Sequence, residues 1–196
     1  PHCSSCSVAK TVRGCPFLLK LLPVSCFAKC FKMSFYYFAY GSNMNPARMQ
    51  ARGLVFSAAE SARLPGYRLA FNKRSHCTPG VAYANVVHSS YGVVEGVLYA
   101  LVNPDALNIM DGFEGTPVRY SRECMTVQTA TGAKSAWIYV ANPAYVEAGL
   151  LPESNYLNHL LAGAAHLSPQ YLVMLQAQAC RPAVQLLGDK GLLYNA

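Results

Sequence analysis

The fold of this chain is decided at Tyr37-Phe38-Ala39-Tyr40-Gly41-Ser42-Asn43-Met44. The aromatic first half of this stretch has high β propensity, and Gly41 permits backbone conformations that other residues resist. Asn45 is suited to cap a helix that carries Pro46 in its first turn and stops at Gly53. The sequence therefore predicts a strand, a glycine loop and a helix in direct succession. Backbone N–H groups at such a junction can hold a carboxylate, although many such junctions bind nothing.

Strand-like patterns dominate the middle of the chain and helical patterns dominate its end, which favours the α+β class over a doubly wound parallel sheet. Gly92 and Gly96 interrupt one strand pattern and indicate a bulge or a sharp bend. We therefore expect a small closed or nearly closed mixed β-barrel of six or seven strands with peripheral helices. The predicted strands are 35–40, 66–72, 81–87, 91–101, 120–128 and 135–141, and the predicted helices are 46–52, 104–114, 154–162 and 168–180.

The first 32 residues differ in composition from the rest of the chain. They hold five of the eight cysteines and five basic residues, with no acidic residue. Because Met33 directly precedes the first predicted strand, we expect residues 1–32 to be an upstream extension or an artefact, followed by a domain over 33–184 and a loosely held tail over 185–196. The alternative is zinc binding by Cys3-x-x-Cys6 and Cys26-x-x-x-Cys30, but no second pair has the spacing of a known zinc motif.

Charge and cysteine usage exclude several classes of function. The net charge is +7, but most of it lies in residues 1–32, so the remaining domain is nearly neutral and nucleic-acid binding is not indicated. No apolar run approaches the ~20 residues that span a bilayer, and three scattered cysteines after residue 32 suggest free thiols in a reducing compartment. We expect a cytoplasmic protein, monomeric or weakly dimeric, that does not depend on a metal, since the five histidines lack metal-ligand spacing.

Among the nine acidic residues, Glu114 is the strongest candidate for chemistry. It lies in Asp111-Gly112-Phe113-Glu114-Gly115, at the C-terminal end of the predicted helix 104–114. The negative end of a helix favours proton uptake by a carboxylate, and the like charge of Asp111 and shielding by Phe113 would act in the same direction. Proton uptake near neutral pH is what a general base needs. The alternative is that Glu114 is a solvated, inert residue at a helix end.

Together, these segments resemble the γ-glutamylcyclotransferase family, most closely its bacterial members. The glycine-loop stretch is followed about seventy residues later by the Asp111 to Gly115 segment, in the order typical of the family. Further matches are Tyr83-Ala84-Asn85-Val86-Val87, Val94-Glu95-Gly96-Val97-Leu98-Tyr99, Ala136-Trp137-Ile138-Tyr139-Val140 and Tyr156-Leu157-Asn158-His159-Leu160-Leu161-Ala162-Gly163, so that the resemblance covers residues 33–180.

The resemblance implies a small β-barrel and a cofactor-independent reaction on a γ-glutamyl substrate. The substrate's α-amino group attacks its own γ-carbonyl carbon, which releases 5-oxoproline and a free amino acid or amine. Because the nucleophile belongs to the substrate, the protein must fold it into attack geometry and move protons. By position, Glu114 matches the catalytic glutamate, and the predicted substrate-binding residues are Tyr37, Phe38, Ala39, Tyr40, Gly41 and Ser42 of the loop together with Tyr139.

Two alternatives stay open at this point. The first is a non-catalytic module on the same fold that binds γ-glutamyl compounds or small carboxylates. The second keeps the chemistry but changes the leaving group, as in glutathione, γ-glutamyl amines including lysine crosslinks, or a γ-glutamyl-protected metabolite. Asn43-Met44 favours the general γ-glutamyl amino acid group, but the segment 115–120 is shorter than in some animal members. Arg119 and Arg122 could meet a substrate carboxylate there, although arginines beside a strand are more often solvated.

Overall fold

The computed structural model describes residues 35–183 and residue 193. The chain divides into two units, Pro1–Lys32 and Met33–Ala196. In the described part, five strands and four α-helices follow one another with three short 3-10 helices. The strands are β1 (Phe35–Ala39), β2 (Phe56–Arg74), β3 (Ala82–Leu101), β4 (Tyr120–Thr129) and β5 (Gly132–Ala141); the helices are α1 (Pro46–Ala51), α2 (Ala106–Glu114), α3 (Ser154–Leu161) and α4 (Pro169–Gln176), and the 3-10 helices are Ser42–Met44, Pro143–Tyr145 and Ala164–His166.

The strands form a closed barrel in the order β1-β3-β2-β4-β5. All neighbours are antiparallel except β1 and β5, whose parallel pairing closes the barrel at Tyr37 and Trp137. The predicted α+β class and small mixed barrel are therefore confirmed. The predicted number of six or seven strands is wrong, because 66–72 is only the second half of β2, and 81–87 and 91–101 belong to the single long strand β3.

Glycines allow β3 to bend around the barrel. The pairing of β2 with β3 shifts between Pro65 and Tyr67, and Gly92 lies opposite this shift, where an added Cβ would be 2.4 Å from the carbonyl oxygen of Tyr67. At Gly96, an added Cβ would be 2.3 Å from the carbonyl oxygen of Ala39. Both positions need glycine because another backbone passes too close for a side chain. The bulge expected from these glycines is found opposite Gly92, where the pairing shifts, whereas Gly96 pairs with Ala62 without a shift.

Local capping signals in the sequence explain where the helices begin and end. Asn45 Oδ1 accepts a hydrogen bond from the N–H of Ala47 at 3.0 Å at the start of α1, and Ser168 Oγ caps α4 through the N–H of Tyr171 at 3.2 Å. Gly115 ends α2 in the left-handed conformation with φ of 67°. The prediction that the last helix extends to Cys180 is wrong, since α4 ends at Gln176.

The core fills the barrel and the space beneath the helices. Phe38, Leu98 and Ile138 from three strands are almost fully buried, as are Met110 of α2 and Leu160 of α3. Burying an apolar side chain of this size is worth about 1.5–3 kcal/mol. The helices are thus fixed to the barrel by their apolar faces, and α2 is held so that its C-terminal end reaches the loop after β1.

Several predictions concern residues that lie outside the described ones. They are the proposed extension and its zinc alternative in 1–32 and most of the proposed tail over 185–196, of which only Leu193 is described. The three cysteines of the described part, Cys77, Cys124 and Cys180, are free. No helix in the described part is long and apolar enough to cross a membrane.

Candidate active site

A cavity of about 310 Å³ lies beside the loop that follows β1. Its walls come from that loop, the end of α2, the far ends of β2 and β3, and single side chains of β5 and α3. Among the described residues of its lining, the charged groups are one carboxylate, Glu114, and three cationic side chains, Arg52, Lys73 and Arg119. A volume of this size is at the small end of the range for ligand pockets. The site therefore suits a small molecule that carries more negative than positive charge.

Glu114 is placed in the cavity by the last turn of α2. Its side chain is 19% exposed, and its Oε1 accepts a hydrogen bond from Asn43 Nδ2 at 3.2 Å. The other carboxylate oxygen, Oε2, has no hydrogen-bond partner among the described residues. Glu114 therefore has one oxygen that is held by the protein and one that is available to a ligand.

Asn43 connects the glycine loop to Glu114. Its Oδ1 accepts a hydrogen bond from Arg52 Nη1 at 2.8 Å, and its Nδ2 lies 2.9 Å from the hydroxyl oxygen of Tyr37. Since arginine can only donate, the amide oxygen must face Arg52, and the amide nitrogen must then face Glu114 and Tyr37. Asn43 is 3% exposed. It therefore fixes the relative positions of the loop, the carboxylate and the guanidinium.

Arg52 follows α1 directly and is buried next to Glu114. Its Nη1 lies 3.8 Å from Glu114 Oε1, its Nε donates to the carbonyl oxygen of Leu193 at 3.1 Å, and its guanidinium lies 4.5 Å from the ring centre of Phe113. Burial lowers the pKa of Arg52, whereas the charge of Glu114 acts in the opposite direction. The guanidinium offsets part of the cost of holding a carboxylate in this partly buried position.

Three tyrosines surround Glu114, and they differ in the use of their hydroxyl groups. The hydroxyl of Tyr40 donates to the carbonyl oxygen of Tyr139, and that of Tyr139 donates to Asp111 Oδ1 at 2.7 Å. Tyr37 only accepts, from Asn43, so its hydroxyl hydrogen has no acceptor among the described residues. Burial, followed by the charge of Glu114, raises the pKa of Tyr37, which keeps its hydroxyl neutral and able to donate.

Both oxygens of the Asp111 carboxylate contact side chains of β4 and β5. Its Oδ2 lies 3.0 Å from Arg122 Nη1, an ion pair rather than a directed hydrogen bond, while Oδ1 binds Tyr139. The Arg122 guanidinium in turn lies 5.1 Å from the ring centre of Trp137. Asp111 therefore ties the end of α2 to β4 and β5, and Arg122 does not line the cavity.

The other end of the cavity is basic. Lys73 is 3% exposed, and its Nζ lies 5.0 Å, 5.4 Å and 5.9 Å from the ring centres of Tyr83, Tyr120 and Tyr145. Burial, with a smaller contribution from Arg119, lowers the pKa of Lys73 to about 8.

Arg119 and His76 lie at the same basic end as Lys73. Arg119 Nη1 donates to His76 Nδ1 at 3.1 Å, since arginine cannot accept. Partial desolvation and the neighbouring cations Arg119 and Lys73 lower the pKa of His76, so the ring is neutral at neutral pH.

Most of the predicted site residues are brought together by the structure. Glu114 and Tyr139 line the cavity, and so do four residues of the glycine loop: Tyr37, Tyr40, Gly41 and Ser42.

Phe38 and Ala39 do not line the cavity, contrary to what the sequence suggested. They pair with Leu98 and Val97 of β3, and both are completely buried in the core. Their side chains therefore belong to the core of the barrel and not to the cavity wall.

Among the lining residues that were not predicted to belong to the site are Asn43, Arg52, Lys73 and Tyr156. The position of Asn43 directly after Ser42 was a usable signal, because a buried amide beside a loop needs partners. Arg52, Lys73 and Tyr156 gave no such signal in the sequence. In the part of the chain described, no three His, Cys, Asp or Glu side chains lie close enough together to hold a metal ion.

Both the sequence and the fold of this chain are similar to those of known proteins. A sequence model of the family described as "Gamma-glutamyl cyclotransferase, AIG2-like" matches residues 37–158. A solved structure named "Gamma-glutamyl cyclotransferase" is 25% identical with a TM-score of 0.67, over 81% of this chain and 95% of that chain. The human "uncharacterized protein loc79017" is 26% identical with a TM-score of 0.68, over 81% of this chain and 95% of that one. YkqA from Bacillus subtilis is 26% identical with a TM-score of 0.66, over 76% of this chain and 57% of that chain. No curated protein matches this chain.

Proposed function

The chain belongs to the gamma-glutamyl cyclotransferase, AIG2-like family, and we propose that it is a cofactor-independent cyclotransferase acting on γ-glutamyl amino acids or amines. Its products would be 5-oxoproline and the free amino acid or amine. The observation that carries the proposal is the carboxylate of Glu114, held through one oxygen and open through the other, in a small cavity beside the glycine loop. An intramolecular attack needs little more than positioning and proton transfer, which this site can supply.

In the proposed reaction, Glu114 Oε2 takes a proton from the α-ammonium group of the substrate. The amine nitrogen then attacks the γ-carbonyl carbon and forms the new C–N bond of a five-membered ring. The bond to the leaving nitrogen breaks as that nitrogen receives the proton from Glu114. Glu114 then passes the second proton of the ring nitrogen to the departing amine, which leaves as an ammonium ion, so the carboxylate returns to its starting state. Atoms and protons balance without water, metal or cofactor.

Negative charge develops on the γ-carbonyl oxygen during the attack and must be stabilised by donors that are already in place. The hydroxyl of Tyr37 has an uncommitted hydrogen and lines the cavity next to Glu114. The first N–H groups of the 3-10 helix Ser42–Met44 add further donors at the same wall, as at any helix N-terminus. Tyr37 and the loop are thus the proposed oxyanion site, while Asn43 and Arg52 keep Glu114 oriented.

The competing hypothesis is a binding module of the same fold that does no chemistry. A pure binding site for carboxylates would not need a carboxylate of its own, held by Asn43 and backed by Arg52. The neighbouring structure named "Gamma-glutamyl cyclotransferase" also supports an enzyme. We further propose that the protein is cytoplasmic, acts without metal or cofactor, and is a monomer or weak homodimer.

The test is product identification by proton NMR after incubating the full chain with γ-glutamyl-alanine and, separately, with glutathione. We expect 5-oxoproline and the free leaving group in equal amounts from at least one of them. Glutamate in place of 5-oxoproline would mean hydrolysis and would contradict the proposed cyclisation. Tight binding of γ-glutamyl-alanine with no product at all would favour the binding module.

A further inference from the structure

The basic end of the cavity carries charge that no carboxylate of the described residues neutralises. Lys73 and Arg119 both line the cavity, and neither forms an ion pair with any carboxylate of residues 35–183. Lys73 Nζ also has no hydrogen-bond acceptor among these residues and lies 5.0–5.9 Å from the ring centres of Tyr83, Tyr120 and Tyr145. A buried ammonium group normally has an anionic or hydrogen-bonding partner. This one is therefore arranged to receive its partner from a ligand.

Arg119, at the same end of the cavity as Lys73, is held in place by close packing against Gly115 and by a hydrogen bond to His76. Its side chain crosses Gly115 so closely that an added Cβ there would be 2.0 Å from Arg119 Nε. The hydrogen bond from Nη1 to His76 Nδ1 holds the other end of the guanidinium. Because the His76 ring accepts this bond, it adds no charge of its own, and the remaining N–H groups of Arg119 stay available. Two cations held in place, one compact and one planar, form a suitable receptor for a carboxylate.

The position of this pair indicates which carboxylate of a γ-glutamyl dipeptide it would bind. The α-ammonium and α-carboxylate groups share one carbon atom, so an ammonium beside Glu114 brings the α-carboxylate close to Arg52, only 3.8 Å from Glu114 Oε1. Lys73 and Arg119 make no such close contact with Glu114. Arg119 and His76 also line a second, open groove, whose described lining includes Asp111, Gly112 and Thr116 but not Glu114. With the ammonium of the glutamyl half beside Glu114, the leaving group is the half that would reach this end.

We propose that Lys73 and Arg119 form a subsite for the carboxylate of the leaving amino acid. This inference rests on the proposed cyclotransferase function and narrows it to one substrate class, γ-glutamyl amino acids whose leaving group carries a carboxylate next to the scissile amide. γ-Glutamyl amines, which lack that carboxylate, leave both cations unpaired in the complex and are therefore poor substrates. The same subsite positions the scissile bond against the attacking amine, so its loss affects catalysis as well as binding.

The experiment compares γ-glutamyl-alanine with γ-glutamyl-ethylamine, two substrates that differ only in the presence of the leaving-group carboxylate. The full chain, Lys73→Met and Arg119→Gln are measured on both substrates, with Arg68→Gln as control because Arg68 is an exposed cation of the same strand as Lys73. We expect the wild type to prefer γ-glutamyl-alanine at least tenfold in kcat/KM. Each cavity variant should lose about 10–100-fold on γ-glutamyl-alanine and less than about threefold on γ-glutamyl-ethylamine.

Other outcomes separate this inference from the proposed function. Equal losses on both substrates would overturn the inference, because the cations would then serve the shared glutamyl half. A wild type without preference, or variants without loss on γ-glutamyl-alanine, would overturn it as well, and the cyclotransferase function would stand. If the wild type releases 5-oxoproline from neither substrate, the proposed function itself fails. Arg119→Gln keeps the test decisive should Lys73→Met not fold.

Discussion

Replacement of Lys73 by methionine should stabilise the protein although it impairs the site. The Lys73 ammonium is 3% exposed, has no carboxylate partner among the described residues, and is surrounded by aromatic rings. Methionine has a similar length and flexibility and can fill the same space between the rings without a charge. The variant would no longer hold a desolvated cation in its folded state, and its free energy of unfolding would rise while activity falls, as is common for residues of functional sites.

The size of the effect follows from the pKa of Lys73, which burial lowers from 10.5 to about 8. Each pKa unit corresponds to 1.36 kcal/mol, so this lowering reduces the free energy of unfolding at neutral pH by about 3 kcal/mol. Solvent in the cavity screens part of the charge, and the loss of the cation–π contacts acts in the opposite direction, so we expect a net gain of about 1–2 kcal/mol. For a domain of this length, the gain would raise Tm by about 3–6 °C.

The pH dependence of the difference gives the sharper test. Below pH 8, Lys73 is protonated in both the folded and the unfolded state, so the wild type carries the full cost. Between pH 8 and 10.5, Lys73 loses its proton in the folded state but keeps it in the unfolded state. Because the unfolded state then binds more protons, the wild type becomes more stable relative to the variant as the pH rises. The advantage of Lys73→Met should therefore disappear over this window. The other charged groups near Lys73, which are Arg74, Cys77, Glu114 and Arg119, are the same in both proteins.

The assay is urea denaturation at pH 7, 9 and 10.5, followed by circular dichroism, with Arg68→Met as a control that removes an exposed cation from β2. The control should change the free energy of unfolding by less than about 0.5 kcal/mol. A Lys73→Met protein that is less stable than the wild type at pH 7 would refute the reasoning. So would a gain that stays constant up to pH 10.5.

Three further substitutions test the loop, the support of Glu114 and the barrel. Gly41→Val should fold but lose at least tenfold in kcat/KM, because even a Cβ at Gly41 would be 3.1 Å from the Tyr156 hydroxyl. A folded and fully active variant would show that the loop is not part of the site. Tyr139→Phe removes the bond to Asp111 and should lower kcat about 5–20-fold with little change in KM, whereas an unchanged kcat would show that this bond does not position Glu114. Gly96→Ala places a Cβ 2.3 Å from a carbonyl oxygen of β1 and should lower the free energy of unfolding by about 3 kcal/mol or more, so a stable variant in denaturation would contradict the observed register.

Local signals were sufficient for the parts of the fold that depend on neighbouring residues. Asn45 and Ser168 cap helices where their side chains can reach the nearby N–H groups, and Gly115 ends α2 because it alone tolerates the left-handed conformation there. Glu114 could be placed at the end of α2 for the same reason, whereas its place in the site was implied by the family resemblance.

The remaining features depend on contacts between residues that are distant in sequence. Strand β2 extends far beyond the predicted segment 66–72, because residues 56–65 find partners on β3 that no local pattern reveals. Arg52 and Lys73 belong to the residue types that are usually exposed. Both are buried in the folded chain, Arg52 beside Glu114 and Lys73 beside three tyrosine rings. The charge arrangement of the cavity therefore could not be predicted from the sequence.

The most direct test of the central claim is the rate of 5-oxoproline formation from γ-glutamyl-alanine by Glu114→Gln. The amide keeps the size of the side chain but cannot take the proton from the α-ammonium group, so we expect the rate to fall at least 1,000-fold, on the order of the loss of a general base plus its charge. Glu147→Gln, an exposed glutamate outside the cavity, should retain the wild-type rate. A folded Glu114→Gln protein that forms 5-oxoproline at a rate near that of the wild type would contradict the account.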